Sequence, residues 1–165
     1  MRDLIIVSGA AGSGKTTICK LLNRKLNTPY IDFGWLRQFH LKLDWSNQGK
    51  EEEALAFDNL IYIIRNYLNH GYKNVFVTDL SEERVEEMTK IFSKNDFIVA
   101  SLIVNSDEEL KKRVLGERDS GYRDFNNAIT WNKFIRERTN LPNEHKIDNT
   151  HNDPEKTAQE IIKLL

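Results

Sequence analysis

Short runs of apolar residues alternate along this chain with longer stretches in which apolar residues recur every three or four positions. A short continuous apolar run is typical of a buried strand, whereas the second spacing is typical of a helix with one buried face. Five strands are predicted in this way, over residues 4–7, 28–32, 74–79, 97–104 and 146–148. The run over 146–148 is the weakest of them.

Helical spacing follows each of these runs. The first helix carries Ile18, Leu21, Leu22 and Leu26 on one side. The other helices are predicted over residues 35–42, 51–69, 82–93, 106–117, 126–138 and 153–165. This alternation predicts an α/β fold, with one parallel sheet covered by helices on both faces, in a single domain over residues 1–165.

Two helix starts have specific signals. Ser106 stands three residues before Glu109, which is the spacing of a capping box. Asp153 precedes Pro154, and proline is favoured at the first helical position.

Functional residues of parallel α/β folds lie at the carboxyl ends of the strands. The residues at such ends are Gly9, Asp32, Asp79, Asn105 and Asn149.

The segment between the first strand and the first helix carries the clearest chemistry. It matches the pattern G-x-x-x-x-G-K-[ST] and reads Gly9-Ala10-Ala11-Gly12-Ser13-Gly14-Lys15-Thr16, followed by Thr17. Glycines allow the backbone to bend around an anion, and a helix amino terminus adds partial positive charge there. We therefore expect this loop to bind the phosphates of a nucleotide, with Lys15 at the β- and γ-phosphates and Thr16 in the shell of a Mg²⁺ ion.

Charge and cysteine content limit the partners and the cellular location that can be expected for this protein. The 165 residues include 24 Lys and Arg against 25 Asp and Glu, a formal net charge of -1. This balance gives no support for nucleic acid or an anionic membrane as a partner. Cys19 is the only cysteine, which excludes an internal disulfide, and its place in the first helix predicts a buried, inert thiol. No apolar stretch suits a signal peptide or a membrane span, so a soluble cytoplasmic protein is expected.

With these motifs, the chain resembles the P-loop small-molecule kinases, a group that includes adenylate, shikimate, gluconate and chloramphenicol kinases. The segment Asp32–Arg37 resembles the part of those enzymes that handles the phosphoryl acceptor, and Asp107–Arg118 resembles the helix that enters a lid. Ile147–Thr150, followed by Asp153–Glu155, is similar to the strand and loop beside the adenine. The resemblance implies the strand order 2-3-1-4-5.

The resemblance also implies roles for individual residues. Arg113 would lie along the adenine face, and Asn149 would belong to the nucleotide site. Arg118 and Arg123, in a short lid over about residues 117–126, would close over the phosphates. Two departures stand out: nucleoside monophosphate kinases carry D-G-x-P-R where this chain has Asp79–Arg84, and Glu117 stands where adenylate kinases usually have an arginine.

These features predict an ATP-dependent kinase that uses Mg²⁺ and acts as a monomer or homodimer. Asp32 is the predicted general base for an acceptor hydroxyl, or alternatively the cap of the next helix. Asp79 is predicted to order the metal and to contact the acceptor, or alternatively to be a cap or turn residue. Trp35 and Arg37 complete the acceptor side, with core packing as the alternative for the aromatic residues.

A nucleoside monophosphate kinase is the second hypothesis for this chain. Its acceptor phosphate requires an arginine cluster, for which Arg37 and Arg84 are the candidates. A nucleotide-binding regulatory NTPase without a small-molecule acceptor is the third hypothesis.

Overall fold

The computed structural model describes residues 2–39, 49–93, 96–116, 122–151 and 153–165. Five parallel strands form one sheet in the order β2-β3-β1-β4-β5. Their bounds are β1 Leu4–Ser8, β2 Tyr30–Asp32, β3 Val75–Thr78, β4 Phe97–Ile103 and β5 Glu144–Asp148. The predicted fold class and strand order are confirmed, and so is the weakest predicted strand, which begins earlier than expected.

Seven helices connect or follow these strands within the described residues. Their bounds are α1 Lys15–Leu26, α2 Phe33–Arg37, α3 Lys50–Asn69, α4 Glu82–Ile91, α5 Asp107–Leu115, α6 Phe125–Glu137 and α7 Pro154–Ile162. α2 differs from the prediction at both ends, since it begins two residues earlier, where Asp32 caps it, and it ends at Arg37 instead of residue 42. The predicted end of α2, at residues 40–42, lies outside the described residues.

Both faces of the sheet are buried. Successive side chains of a strand point to opposite faces. In β1, Leu4 and Ile6 pack in a core with α2, α3 and α4, whereas Ile5 and Val7 pack in a second core with α1 and α7. This two-sided burial explains why the strands read as continuous apolar runs rather than alternating ones.

Side-chain caps fix the starts of several helices. Ser106 Oγ accepts from the Glu109 N–H at 3.1 Å, as its spacing predicts, but the Glu109 carboxylate accepts from Arg113 Nε at 2.8 Å. Asp153 accepts from the Lys156 N–H at 2.9 Å and so starts α7. The charged group expected to close the capping box is therefore used to hold Arg113.

Two further expectations concern the helices. Cys19 is fully buried in the core between α1 and the sheet, as predicted. Burial raises the pKa of its thiol to about 12, against the opposing positive charge of Lys15. None of the helices in the described ranges combines the length and the apolar content that a bilayer crossing requires.

Candidate active site

The loop from Gly9 to Gly14 joins β1 to α1 at the carboxyl edge of the sheet, and its residues are buried or half-buried. Gly14 is the residue before α1 and has φ 100°, which a side chain rarely adopts. Within the described residues, no side chain caps α1 and no acidic residue lies in its first turn. The amino terminus of α1 therefore presents N–H groups and partial positive charge to an anion.

Lys15 folds back over this loop. Its Nζ donates to the carbonyls of Gly9 at 2.7 Å and Ala10 at 3.0 Å, and lies 5.7 Å from the ring centre of Trp131. Thr16 and Thr17 follow on the exposed side of the first helical turn. The ammonium is thus held against the loop, where the sequence predicts the β- and γ-phosphates.

Two carboxylates converge at the ends of β2 and β3. A Cβ atom placed on Gly34 would lie 2.8 Å from Asp79 Oδ2 and 3.1 Å from Asp32 Oδ1. Burial and the neighbouring charge of Asp79 raise the pKa of Asp32, while the Gly34 N–H, the Tyr30 hydroxyl and Lys15 oppose that rise. The structure therefore brings Asp32, Asp79 and Lys15 into one electrostatic neighbourhood.

Asp32 also has a structural role. Its Oδ1 accepts from the Gly34 N–H at 3.0 Å and caps α2, and its Oδ2 accepts from the Tyr30 hydroxyl at 3.3 Å. The capping alternative considered from the sequence is therefore present in the fold. It leaves the carboxylate half-buried beside Asp79, where a proton-accepting role stays a prediction.

Asp79 lies just after β3 with φ 65°. It does not cap α4, because Ser81 Oγ accepts the Arg84 N–H at 3.3 Å and fills that position. Surrounding protein raises the pKa of Asp79 by restricting its hydration, and the positive charges of Lys15 and Arg37 oppose that rise. Arg37, from α2, is thereby placed on the same side as the two carboxylates.

The aromatic residues of the predicted acceptor segment divide into two groups. Phe33 is buried and packs edge to face on Phe57, with ring centres 6.2 Å apart. Trp35 is 52% exposed and packs edge to face on Tyr30 at 5.3 Å, and Phe39 is 80% exposed. Core packing therefore explains Phe33, whereas Trp35 stays available to an acceptor.

Arg113 and Asn149 meet beside the phosphate loop. Arg113 Nη1 donates to the Asn149 carbonyl at 2.9 Å, and Nη2 donates to the Thr150 carbonyl. The Asn149 side-chain amide donates to the Ser13 carbonyl at 2.8 Å. The structure thus links the helix that enters the predicted lid to the phosphate loop through the segment after β5.

The remaining predicted arginines have different surroundings. Arg118 and the predicted lid residues 117–121 lie outside the described residues. Arg123 is exposed and donates to the Tyr122 carbonyl at 2.9 Å. The closure of Arg123 over the phosphates stays a prediction.

Arg84 is bound by two acidic residues. It donates to both carboxylate oxygens of Glu53, at 3.0 and 2.6 Å, and to Glu87, and it lies 4.4 Å from the ring centre of Phe57. These hydrogen bonds raise the pKa of its guanidinium against the opposing effect of burial. Arg84 is therefore occupied by protein carboxylates.

A chain of charged groups behind the site was missed from the sequence. Glu82 Oε1 accepts from Ser8 at 2.8 Å and from Trp131 Nε1 at 3.3 Å, and Arg138 links Glu82 to the fully buried side chain of Glu144. Burial would raise the pKa of Glu144, but hydrogen bonds from Arg138 and others hold it below its ordinary value. No sequence signal indicated this network, because Glu144 precedes the strand predicted over residues 146–148.

Replacing Arg138 by lysine tests how far this network supports the fold. The guanidinium bridges the two carboxylates through Nε, Nη1 and Nη2, which a single ammonium cannot reproduce. We expect Arg138→Lys to lower the free energy of unfolding by about 1–3 kcal/mol, measured by urea denaturation. Arg136→Lys, in the last turn of α6, is the control, because its pair with Asp107 spans 3.7 Å, and it should change this free energy by less than about 0.5 kcal/mol.

Replacing Asp79 by asparagine tests the electrostatic cost of that carboxylate. Because the pKa of Asp79 is raised, the ionised form is disfavoured in the folded state, and stability falls as the pH rises through that pKa. Asp79→Asn should therefore raise the melting temperature near pH 7, but only slightly, because Asp79 is exposed and water screens its charge. The gain should shrink towards about pH 4. If the gain in melting temperature were equal at both pH values, its cause would be the left-handed backbone conformation of residue 79, which asparagine adopts readily.

The fold and the loop define a P-loop nucleotide-binding domain. The chain belongs to the AAA domain family, since its residues 5–131 match AAA_18. Cytidylate kinase of Clostridium tetani is 36% identical over 83 residues, which is 50% of this chain and 37% of that enzyme. The bifunctional pantoate ligase/cytidylate kinase of Prochlorococcus marinus is 34% identical over 103 residues, which is 56% of this chain and 19% of that protein. The chain thus spans well under half of both relatives.

Solved structures of small-molecule kinases share the fold. A sugar kinase from Janibacter sp. HTCC2649 has a TM-score of 0.70 at 13% identity, over 99% of this chain and 94% of that one. Shikimate kinase from Bacteroides thetaiotaomicron has a TM-score of 0.62 at 21% identity, over 98% and 97%. The predicted resemblance to P-loop small-molecule kinases is confirmed.

Proposed function

We propose that this chain is an ATP-dependent kinase that transfers the γ-phosphoryl group to a hydroxyl of a small molecule. One observation carries the proposal. The phosphate loop with Lys15 stands beside the paired carboxylates Asp32 and Asp79, at the carboxyl edge of the sheet. A phosphate site next to a proton acceptor is the minimum that hydroxyl phosphorylation requires.

Each part of this arrangement has a defined task. The loop N–H groups and Lys15 bind the phosphates and stabilise the charge that develops during transfer. Asp32 accepts the proton of the acceptor hydroxyl, and Trp35 with Arg37 orients the acceptor. Transfer is favoured when these groups hold the hydroxyl in line with the γ-phosphate and keep water out.

The residues present fit a Mg²⁺ ion that is bound mainly through nucleotide phosphates and water. Among the described residues there is no cluster of three or more His, Cys, Asp or Glu that could hold a metal on its own. Mg²⁺ is commonly held by one or two protein oxygens together with phosphates, which the Thr16 hydroxyl and the Asp79 carboxylate can provide. The ion would neutralise phosphate charge when bound.

The charge on the acceptor side favours a hydroxyl over a phosphate. A phosphate acceptor requires several available cations, but Arg84 is held by Glu53 and Glu87. Arg37 is then the candidate cation that remains from the sequence, and it faces Asp79. Two carboxylates at this place would repel a phosphate, whereas they can accept hydrogen bonds from hydroxyl groups.

A nucleoside monophosphate kinase is the second candidate. This candidate is favoured by the two sequence relatives described above, since one is named a cytidylate kinase and the other a bifunctional pantoate ligase/cytidylate kinase. In that case Arg37 would bind the acceptor phosphate, and Asp32 would serve as the cap of α2 alone.

ATP consumption against a panel of acceptors distinguishes these functions. The panel contains nucleosides, nucleoside monophosphates, sugars and alcohols of the aminoglycoside and phenicol types, and ³¹P NMR identifies the product. A phosphate monoester supports the hydroxyl kinase. A diphosphate supports the monophosphate kinase instead. ATP hydrolysis that no acceptor changes would contradict both and support a regulatory NTPase.

A further inference from the structure

Asn149 makes hydrogen bonds to four different parts of the protein, which is more than contact with a nucleotide would require. Its Nδ2 donates to the Ser13 carbonyl at 2.8 Å, and its Oδ1 accepts from the buried Thr157 hydroxyl at 2.6 Å. Its backbone N–H donates to the Ile103 carbonyl at 2.8 Å, and its own carbonyl accepts from Arg113. The side chain is buried, and both of its polar atoms are used within the protein.

The side chain also lies directly against the phosphate loop. A Cβ atom on Gly14 would lie 2.6 Å from Asn149 Nδ2, so position 14 tolerates no side chain while Asn149 stays in place. The Thr157 hydroxyl donates to the oxygen of the amide and thereby turns its nitrogen towards the loop. The donor that reaches the Ser13 carbonyl is therefore fixed from behind by α7.

The Ser13–Gly14 peptide is trans, and in a trans peptide the C=O and the following N–H point in opposite directions. Holding the Ser13 carbonyl towards Asn149 therefore turns the Gly14 N–H to the other side. Glycine at φ 100° leaves this peptide unusually free to rotate, because no side chain opposes the turn. The orientation of the Gly14 N–H then depends on the hydrogen bond from Asn149.

We infer that Asn149 is a positioning residue that aims the Gly14 N–H at the bound phosphates. Thr157 and Arg113 hold Asn149 in the orientation that this requires. The inference rests on phosphate binding by the loop, which is part of the proposed function, and it does not depend on the identity of the acceptor. According to this inference, Asn149 affects the binding of the nucleotide's phosphates and not the binding of its base.

Asn149→Asp is the direct test, because aspartate has nearly the same shape but presents only acceptors to the Ser13 carbonyl. Thr157→Val is the second variant, since it keeps the amide and removes the hydroxyl that orients it. Asn23→Asp is the matched control. Its amide donates to the Thr28 carbonyl at 2.7 Å in the distal half of α1, away from the phosphate loop.

Displacement of a fluorescent ATP analogue by tripolyphosphate and by adenosine measures the two halves of nucleotide binding separately. Thermal melting of each variant checks that it is folded. We expect Asn149→Asp to weaken tripolyphosphate binding at least about tenfold, corresponding to ~1.4 kcal/mol, and to leave adenosine binding within about twofold. Thr157→Val should give a smaller loss of the same kind, and Asn23→Asp should change neither ligand.

Unchanged tripolyphosphate binding in Thr157→Val, which alters no charge, would overturn the inference, because the negative charge that Asn149→Asp adds beside the loop weakens phosphate binding by itself. So would an equal loss of tripolyphosphate and adenosine, which a general disturbance of the fold produces. If Asn149→Asp does not fold, Thr157→Val decides by the same comparison. Failure of the wild-type chain to bind Mg-ATP would instead contradict the proposed function.

Discussion

Asp32→Asn should lower turnover on the true acceptor by roughly 10²- to 10⁴-fold and leave the fold intact. Asparagine keeps an oxygen that can accept the Gly34 N–H and so still caps α2. It cannot accept a proton from the acceptor hydroxyl. Steady-state kinetics and thermal melting of the same preparation measure the two effects separately.

Asp32→Ala provides the matched comparison, because alanine removes both the base and the cap. It should lose as much activity as Asp32→Asn and, in addition, about 1 kcal/mol of stability. The pKa of Asp32 is raised, so the wild-type rate should fall as the pH drops through a value above the ordinary one for aspartate. Near-normal turnover of Asp32→Asn would remove the base assignment and favour the monophosphate kinase.

Lys15→Ala should yield a folded protein in which Mg-ATP binding or turnover is lowered by about 10²- to 10³-fold. The Lys15 ammonium lies beside the Gly9 and Ala10 carbonyls, so it is already at the loop that the phosphates approach. Calorimetry with Mg-ATP measures the binding, and coupled ADP formation measures the turnover.

Lys25→Ala serves as the control for Lys15→Ala. Lys25 lies in the last turn of the same helix and pairs with Glu155 at 2.7 Å on the surface. The loss of this exposed pair should cost less than about 1 kcal/mol of stability and leave nucleotide binding unchanged. If Lys15→Ala bound Mg-ATP and turned over like the wild type, nucleotide binding by this loop would be wrong.

The parts of the molecule that could be predicted are those that depend only on residues close together in the sequence. The phosphate loop needs only the glycines and Lys15 between an apolar run and a helical spacing, and all of these follow one another directly between residues 4 and 26. The same holds for the strands, because apolar runs report burial on both faces. The strand order came from the resemblance, since spacing does not determine which strands are neighbours.

Contacts between residues distant in sequence could not be predicted. Asn149 and Ser13 are 136 residues apart, and Arg138 and Glu82 are 56 apart, so no local pattern connects them. Their pairing depends on the order of the strands and on the packing of α6 and α7. Arg84 shows the same limit, because its carboxylate partner Glu53 comes from α3, a different helix. Local sequence cannot show whether an arginine is available to a ligand.

The buried thiol of Cys19 can be used to measure how often α1 moves away from the sheet. The thiolate is the reactive form, and a pKa of about 12 leaves almost none of it at neutral pH in the closed fold. A thiol reagent can then react only in molecules in which α1 has moved away from the sheet. The modification rate of this single cysteine therefore counts the openings of the helix whose first turn carries Lys15. Ligands held by that turn would slow the reaction by a factor that increases exponentially with the stability they add.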